Sequence, residues 1–216
     1  MRRGGITRAL GSTTALFLLV WLSLPQAGSA AGGDAGSPDG AAVPSLIHVN
    51  AGDNWFNPNV ILVARGGTVT WDFVGESHHT ATDTTGMELY DSGSLLTGSY
   101  SYSFSAAGTY GFKCILHPQM GGRIHVPMRA KPSKGSRQTV FALTWASVTP
   151  PEGYVYDVQL KRPGGAYQVW QDGVIATGGS FKTDVGRGVY RFQAHLRQVS
   201  TGETSLWSDT VSVSVT

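Results

Sequence analysis

Apolar and polar residues alternate with a period of two in many short segments of the chain. Residues 69–73 (Val-Thr-Trp-Asp-Phe) and 100–104 (Tyr-Ser-Tyr-Ser-Phe) alternate in this way, and so do residues 110–114, 190–197 and 211–215. This is the pattern of strands with one buried face and one solvated face. Glycine and proline clusters separate the segments, and no segment has the apolar spacing of an amphipathic helix. The pattern therefore predicts an all-β protein built from β-sandwiches.

Two strand-rich blocks divide the chain. The first covers residues 44–127 and the second covers residues 137–216, and the 216 residues are enough for two small domains. Between them, residues 128–136 carry one proline and three basic side chains, so this stretch is interpreted as a linker. Residues 31–43 are rich in Gly, Ala and Ser without hydrophobic periodicity, which predicts a flexible leader.

Residues 1–30 have the layout of a secretory signal peptide. Three arginines precede an apolar run over residues 15–24, and the small residues around Ala30 mark the expected cleavage position. The alternative, a membrane anchor, is disfavoured because the run has about half the length that a spanning helix needs. We therefore expect an exported protein, located extracellularly, at the cell surface or in the periplasm, with no transmembrane segment after removal of the signal.

Charge and motif content exclude several function classes. Without the predicted signal, 13 basic and 14 acidic residues remain, a net charge of −1, and no basic stripe suggests a nucleic-acid partner. The sequence has no nucleophile-elbow motif and no glycine-rich phosphate loop. Its six histidines include no His-x-His pair, which argues against the trinuclear cluster of a multicopper oxidase. We therefore expect a protein that is not an enzyme.

The single cysteine lies in a segment that carries several metal-ligand side chains. Strand alternation puts Cys114 on the same face as Tyr110 and Phe112, and the loop that follows presents His117 and Met120. Soft sulfur ligands favour Cu(I), whereas imidazoles accept both Cu(I) and Cu(II). A structural zinc site normally has four Cys or His ligands, and Met is a poor zinc ligand. The donor set therefore favours copper over zinc.

A second imidazole would complete this set, and His78 and His79 are the candidates. If His79 and Ala81 face inward on a strand, then Thr80 and His78 face outward. Parity thus favours His79 and leaves His78 as a solvent-exposed alternative. The other histidines on predicted strands occupy polar-face positions and are expected to be solvated rather than ligands: His48, His125 and His195.

Residues 45–127 resemble the plastocyanin/azurin-like cupredoxins, especially the short-loop amicyanin type. The resemblance rests on Phe-Asn-Pro at 56–58, Gly-Gly-Thr-Val-Thr-Trp at 66–71, His-Thr-Ala-Thr at 79–82 and the Cys-x-x-His-Pro-x-Met-x-Gly loop at 114–122. It implies a cupredoxin β-sandwich that holds one copper ion, cycling between Cu(I) and Cu(II), in a type 1 (blue) site.

The resemblance also implies a role for each matching residue. Cys114 would supply the thiolate, His79 and His117 the equatorial imidazoles, and Met120 the axial thioether. His117 would be the point where electrons enter and leave, and Thr80 would help to fix the site. The implied function is one-electron transfer between redox partner proteins. The alternatives are copper capture or delivery with the same ligands, or a non-catalytic adhesion or interaction module.

Residues 137–216 resemble a fibronectin type III domain, which is an immunoglobulin-like β-sandwich. The resemblance is one of pattern, over residues 143–145, 154–158, 190–194 and 205–208. No candidate chemistry lies in this block. The resemblance implies a spacing or docking role, or contact with protein or carbohydrate, and fold analogy alone does not choose between these.

Overall fold

A computed structural model of the protein describes residues 43–216. In this part of the chain every regular element is a β-strand, as the alternation predicts. The predicted signal peptide and nearly all of the predicted leader lie outside the described residues. Within residues 43–216, no helix is long and apolar enough to cross a membrane.

Eight strands form two sheets that face each other as the first sandwich. The strands are β1 (Leu46–Gly52), β2 (Trp55–Asn57), β3 (Val60–Leu62), β4 (Gly67–Phe73), β5 (Thr82–Asp83), β6 (Gly98–Phe104), β7 (Gly108–Lys113) and β8 (Gly121–Val126). One sheet has the order β2-β1-β4-β6 and the other has the order β3-β8-β7-β5. The β1–β4 and β3–β8 pairs are parallel, and the remaining pairs are antiparallel.

The alternating residues of these strands make the core between the two sheets. On β4, Val69 and Trp71 are fully buried, and Trp71 packs edge-on against Phe112 of β7 with ring centroids 5.5 Å apart. On β8, Ile124 and Val126 are buried as parity predicts. Burial of each such side chain stabilises the fold by about 1.5–3 kcal/mol. The core thereby fixes the end of β7, where the cysteine follows.

Eight further strands form the second sandwich. The strands are β9 (Arg129–Lys131), β10 (Lys134–Gly135), β11 (Phe141–Thr144), β12 (Tyr154–Lys161), β13 (Tyr167–Val174), β14 (Gly178–Phe181), β15 (Gly188–Gln198) and β16 (Val211–Val215). The two sheets of this sandwich have the orders β10-β16-β15-β12-β13 and β14-β11-β9.

The stretch interpreted as a linker, residues 128–136, differs from that expectation. It contains β9, which pairs with β11, and β10, which pairs with β16. These strands have only three and two residues, too few for alternation to be visible in the sequence. The basic residues and the proline of this segment suggested a linker, whereas its backbone belongs to the second sandwich.

The two sandwiches are joined by backbone hydrogen bonds and by shared apolar packing. Thr109 of β7 exchanges hydrogen bonds of 2.9 and 3.0 Å with Leu206, and the Ala107 N–H donates to the Trp145 carbonyl at 2.7 Å. Three residues of the first sandwich lie in the core cluster of the second sandwich: Met87, Ala106 and Ala107. All described residues accordingly belong to one compact unit.

Candidate metal centre

Cys114 directly follows β7 and is 1 % exposed, on the same face as the buried Phe112. The loop after it is closed by two backbone hydrogen bonds of 2.9 Å: Cys114 N–H to the Met120 carbonyl and Met120 N–H to the His117 carbonyl. β8 then begins at Gly121, and an added Cβ at the next residue, Gly122, would lie 2.3 Å from the Asn59 carbonyl oxygen. The loop therefore holds Cys114, His117 and Met120 together.

His79 is the histidine that the fold brings to this loop. Its backbone exchanges two hydrogen bonds of 2.9 Å with Leu95, and its side chain is fully buried. His78 is exposed. His79 and Ala81 both face inward, which is the arrangement that strand parity favoured.

Three potential ligand atoms meet between the two segments. Nδ1 of His79 lies 3.1 Å from Nδ1 of His117, and Sγ of Cys114 lies 3.5 Å from Nδ1 of His117 and 4.0 Å from Nδ1 of His79. The circle through these atoms has a radius of about 2.1 Å, close to metal–nitrogen and metal–sulfur bond lengths. Within residues 43–216, His79, Cys114 and His117 thus form a group whose ligand atoms all lie within 4.8 Å of one another, close enough to hold a metal ion. The donor set therefore fits one metal ion.

Thr80 fixes the sulfur from the other side. Its N–H donates to Sγ of Cys114 at 3.3 Å, and its Oγ1 accepts from the N–H of Ile115 at 3.0 Å. Parity predicted an outward-facing Thr80, but its side chain is fully buried. It is buried because its hydroxyl lies between its own chain segment and the cysteine loop, where it also contacts the Thr82 hydroxyl at 2.8 Å.

Asp53 is a residue near the site that the sequence analysis missed. Oδ1 of Asp53 lies 3.1 Å from Nε2 of His79. This ring nitrogen faces away from the three-atom group, which consists of His79 Nδ1, His117 Nδ1 and Cys114 Sγ. Hydrogen bonds from the Ser77 hydroxyl, the Glu76 N–H and His79 hold the pKa of this carboxyl well below its usual range. Asp53 follows β1, 26 positions before His79, and no periodicity or motif links the two.

Met120 and the loop surface complete the region. Met120 is 1 % exposed and belongs to the core cluster of the first sandwich. His117 is half-buried, whereas Leu116 and Pro118 beside it are exposed. His117 thus reaches from the buried donor group to an apolar part of the protein surface.

The histidines expected to be solvated lie away from this group, and each pairs with an aspartate. His48 is well exposed and contacts Asp72 at 2.7 Å. His125 contacts Asp209 at 3.3 Å. The expectation was wrong for His195, because its side chain is only 12 % exposed. A neighbouring loop covers this position, and a single strand pattern does not reveal such cover.

Several solved structures are similar to part of this chain. A purple cupredoxin from Nitrosopumilus maritimus is 22 % identical over 37 % of this chain and 98 % of its own, with a TM-score of 0.35. A mutant of amicyanin is 26 % identical over 37 % of this chain and 80 % of its own (TM-score 0.33). A copper-containing nitrite reductase from Thermus scotoductus is 27 % identical over 40 % of this chain but only 23 % of its own (TM-score 0.33). No known family profile and no curated protein matches the chain.

Proposed function

We propose that this protein is an exported electron carrier that holds one copper ion in a type 1 site. The observation that carries the proposal is the triangle of His79 Nδ1, His117 Nδ1 and Cys114 Sγ, with sides of 3.1–4.0 Å. One thiolate and two imidazoles, with a weak thioether from Met120, suit an ion that alternates between Cu(I) and Cu(II). Bound copper would supply a centre that accepts and releases one electron.

The described residues supply rigidity, insulation and a route to the surface. Cys114 and Met120 are buried, so water is kept away from the sulfur ligands. The Thr80 N–H stabilises a thiolate at Cys114 by donating to its sulfur. Because the backbone of His79 is hydrogen-bonded to Leu95 and the cysteine loop is closed by its own backbone hydrogen bonds, the donor atoms would move little when the charge of the site changes. Such a site favours fast electron transfer.

His117 would connect the site to a redox partner protein. Its ring is half-buried between the donor atoms and the exposed side chains of Leu116 and Pro118. An apolar surface around a half-exposed imidazole would allow a partner to approach the ring closely. The second sandwich would then contribute protein or carbohydrate contact, with no part in the chemistry.

The first test is the visible absorption spectrum of the purified protein after addition of Cu(II). We expect an intense thiolate-to-copper band that disappears in Cys114→Ser. The matched control is His78→Ala, which removes an exposed imidazole next to His79 and should keep the band. A correctly folded wild-type protein without this band would contradict the type 1 assignment.

Copper capture or delivery uses the same ligands, so the spectrum does not separate it from electron transfer. Voltammetry and chelator competition do so. An electron carrier should give a reversible one-electron wave and should retain copper against a chelator over hours. Irreversible redox behaviour together with rapid loss of copper would favour the delivery function instead.

A further inference from the structure

Asp53 and His79 form a contact on the side of the imidazole that faces away from His117 and Cys114, and the Asp53 side chain is 42 % exposed. The His79 ring is fully buried, and its Nε2 lies 3.1 Å from Oδ1 of Asp53. The next polar atom near Nε2 is the Ser77 hydroxyl oxygen, at 3.4 Å. Asp53 is therefore the principal hydrogen-bonding partner of this nitrogen.

The loop over residues 75–77 is shaped to hold the Asp53 carboxylate in this position. The carboxylate accepts hydrogen bonds from the N–H groups of Glu76 and Ser77, each at 3.1 Å, and from the Ser77 hydroxyl at 2.6 Å. An added Cβ at Gly75 would lie 2.5 Å from Oδ1 of Asp53 and 2.7 Å from Nε2 of His79. Glycine at this position thus leaves the space in which the two side chains meet.

We propose that Asp53 is a positioning residue that keeps the proton of His79 on Nε2 and stabilises the oxidised state of the metal centre. A carboxylate only accepts hydrogen bonds, so the nitrogen facing it has to carry the hydrogen. Nδ1 of His79 then has a free lone pair directed at His117 Nδ1 and Cys114 Sγ. In the metal-free protein, the hydrogen between the two Nδ1 atoms, 3.1 Å apart, belongs to His117.

The charge of Asp53 adds an effect beyond orientation, and this part rests on the proposed copper function. Hydrogen bonding to a carboxylate makes an imidazole a more basic ligand, and the negative charge favours the more positive metal. Cu(II) is stabilised over Cu(I) as a result. The electron of the reduction comes from the redox partner protein, and Asp53 lowers the tendency of the site to take it.

The first experiment needs no metal. In ¹⁵N-labelled metal-free protein at mildly alkaline pH, imidazole chemical shifts report which ring nitrogen carries hydrogen. We expect His79 protonated on Nε2 in the wild type, and a mixture of both tautomers in Asp53→Ala. The control is Asp72→Ala, which removes the carboxylate 2.7 Å from the exposed His48 and should leave the His79 shifts unchanged. A wild-type His79 protonated on Nδ1, or unchanged His79 shifts in folded Asp53→Ala, would overturn the proposal.

The second experiment measures the reduction potential. Asp53→Asn keeps an oxygen that accepts from Nε2 but removes the charge, so we expect Cu(II) affinity to fall about tenfold relative to Cu(I). A tenfold change corresponds to a rise of about 59 mV for one electron. Asp72→Asn should leave the potential unchanged. A potential that does not rise in Asp53→Asn would overturn the charge effect.

One further variant, together with the metal-free measurement, separates the possible failures. Gly75→Ala pushes the carboxylate away from His79 without changing either residue, so it should shift the tautomers in the same direction as Asp53→Ala. If Asp53→Ala does not fold, Gly75→Ala decides the tautomer question. If the wild type binds no copper, the proposed function and the charge effect both fail, whereas the metal-free measurement still decides whether Asp53 sets the tautomer of His79.

Discussion

Each sandwich contains a largely buried histidine that contacts an aspartate, and the two pairs differ in what lies on the other side of the ring. In the first sandwich, His79 contacts Asp53 through Nε2 and points Nδ1 at His117 and Cys114. In the second sandwich, His195 contacts Asp157 through Nε2 at 3.0 Å. The contact to the aspartate is similar in both places.

Protein groups surround the ring of His195. A hydrogen bond to the Ser205 backbone accompanies the one to Asp157. The ring also stacks on Trp207, with centroids 3.8 Å apart and planes 8° from parallel. Asp157 in turn accepts from Arg197 at 2.6 and 2.9 Å. This is an internal network without an open ligand position.

The comparison shows that a buried histidine in contact with an aspartate does not by itself mark a metal site. The deciding feature is the second ring nitrogen, which faces other ligand atoms at His79 and a backbone group at His195. A metal-bound histidine commonly donates its other N–H to a carboxylate or carbonyl group. The same contact also stabilises ordinary structural histidines.

Removing each imidazole in turn tests most directly whether His79 and His195 have different roles. His79→Gln should abolish the thiolate-to-copper absorption band completely, because a ligand is lost. His195→Gln should leave the band unchanged. Loss of the band in His195→Gln, with the fold intact by circular dichroism, would show that the two histidines are not functionally separate.

The next largest effect concerns the free energy of unfolding. Asp157→Ala should lower it by about 2–3 kcal/mol, because Arg197 and the N–H of Gly173 lose their acceptor together with His195. Denaturant titration measures the change. Asp209→Ala is the matched control, because its contact with His125 is largely exposed and should contribute less than about 1 kcal/mol.

A smaller effect should be visible in the pH dependence of stability. Burial lowers the pKa of His195 from its usual range, although Asp157 opposes this shift. The unfolded chain therefore takes up the proton at higher pH than the folded protein does, so stability falls as the pH drops below about 6.5 and through the folded-state pKa.

His195→Gln removes this contribution, so its unfolding free energy should depend less on pH between 7 and 5 than that of the wild type. Equal slopes in that window would show that His195 is not responsible. The loss that comes from Asp157 begins only below about pH 4, because hydrogen bonds from Arg197 and the Gly173 N–H outweigh its burial and hold the pKa of Asp157 well below its usual range.

Local patterns predicted much of the fold and the candidate donor group. Alternation placed Phe112 and Cys114 on one buried face, and parity favoured His79, because both signals depend on neighbours along a strand. Asp53 could not be found in this way. Its partner is 26 positions away and is reached through a loop turn that only the folded chain forms.

The same limit explains what was misjudged outside the site. The backbone of residues 129–131 is paired with β11, although its composition resembles that of a linker. His195 occupies a polar-face position by parity, yet the segment carrying Ser205 and Trp207 covers it. Pairing and cover depend on residues distant in sequence, and a pattern along one strand contains no information about them.

The apolar packing between the sandwiches has a consequence for biosynthesis. Met87, Ala106 and Ala107 of the first sandwich are synthesised before residues 137–216, yet they are buried in the core cluster that those residues complete. While the chain grows, the first sandwich therefore carries an uncovered apolar surface at the side where the second will pack. A nascent chain that stalls near residue 136 would expose this surface to chaperones or to other unfinished chains, even with all four proposed copper ligands already synthesised.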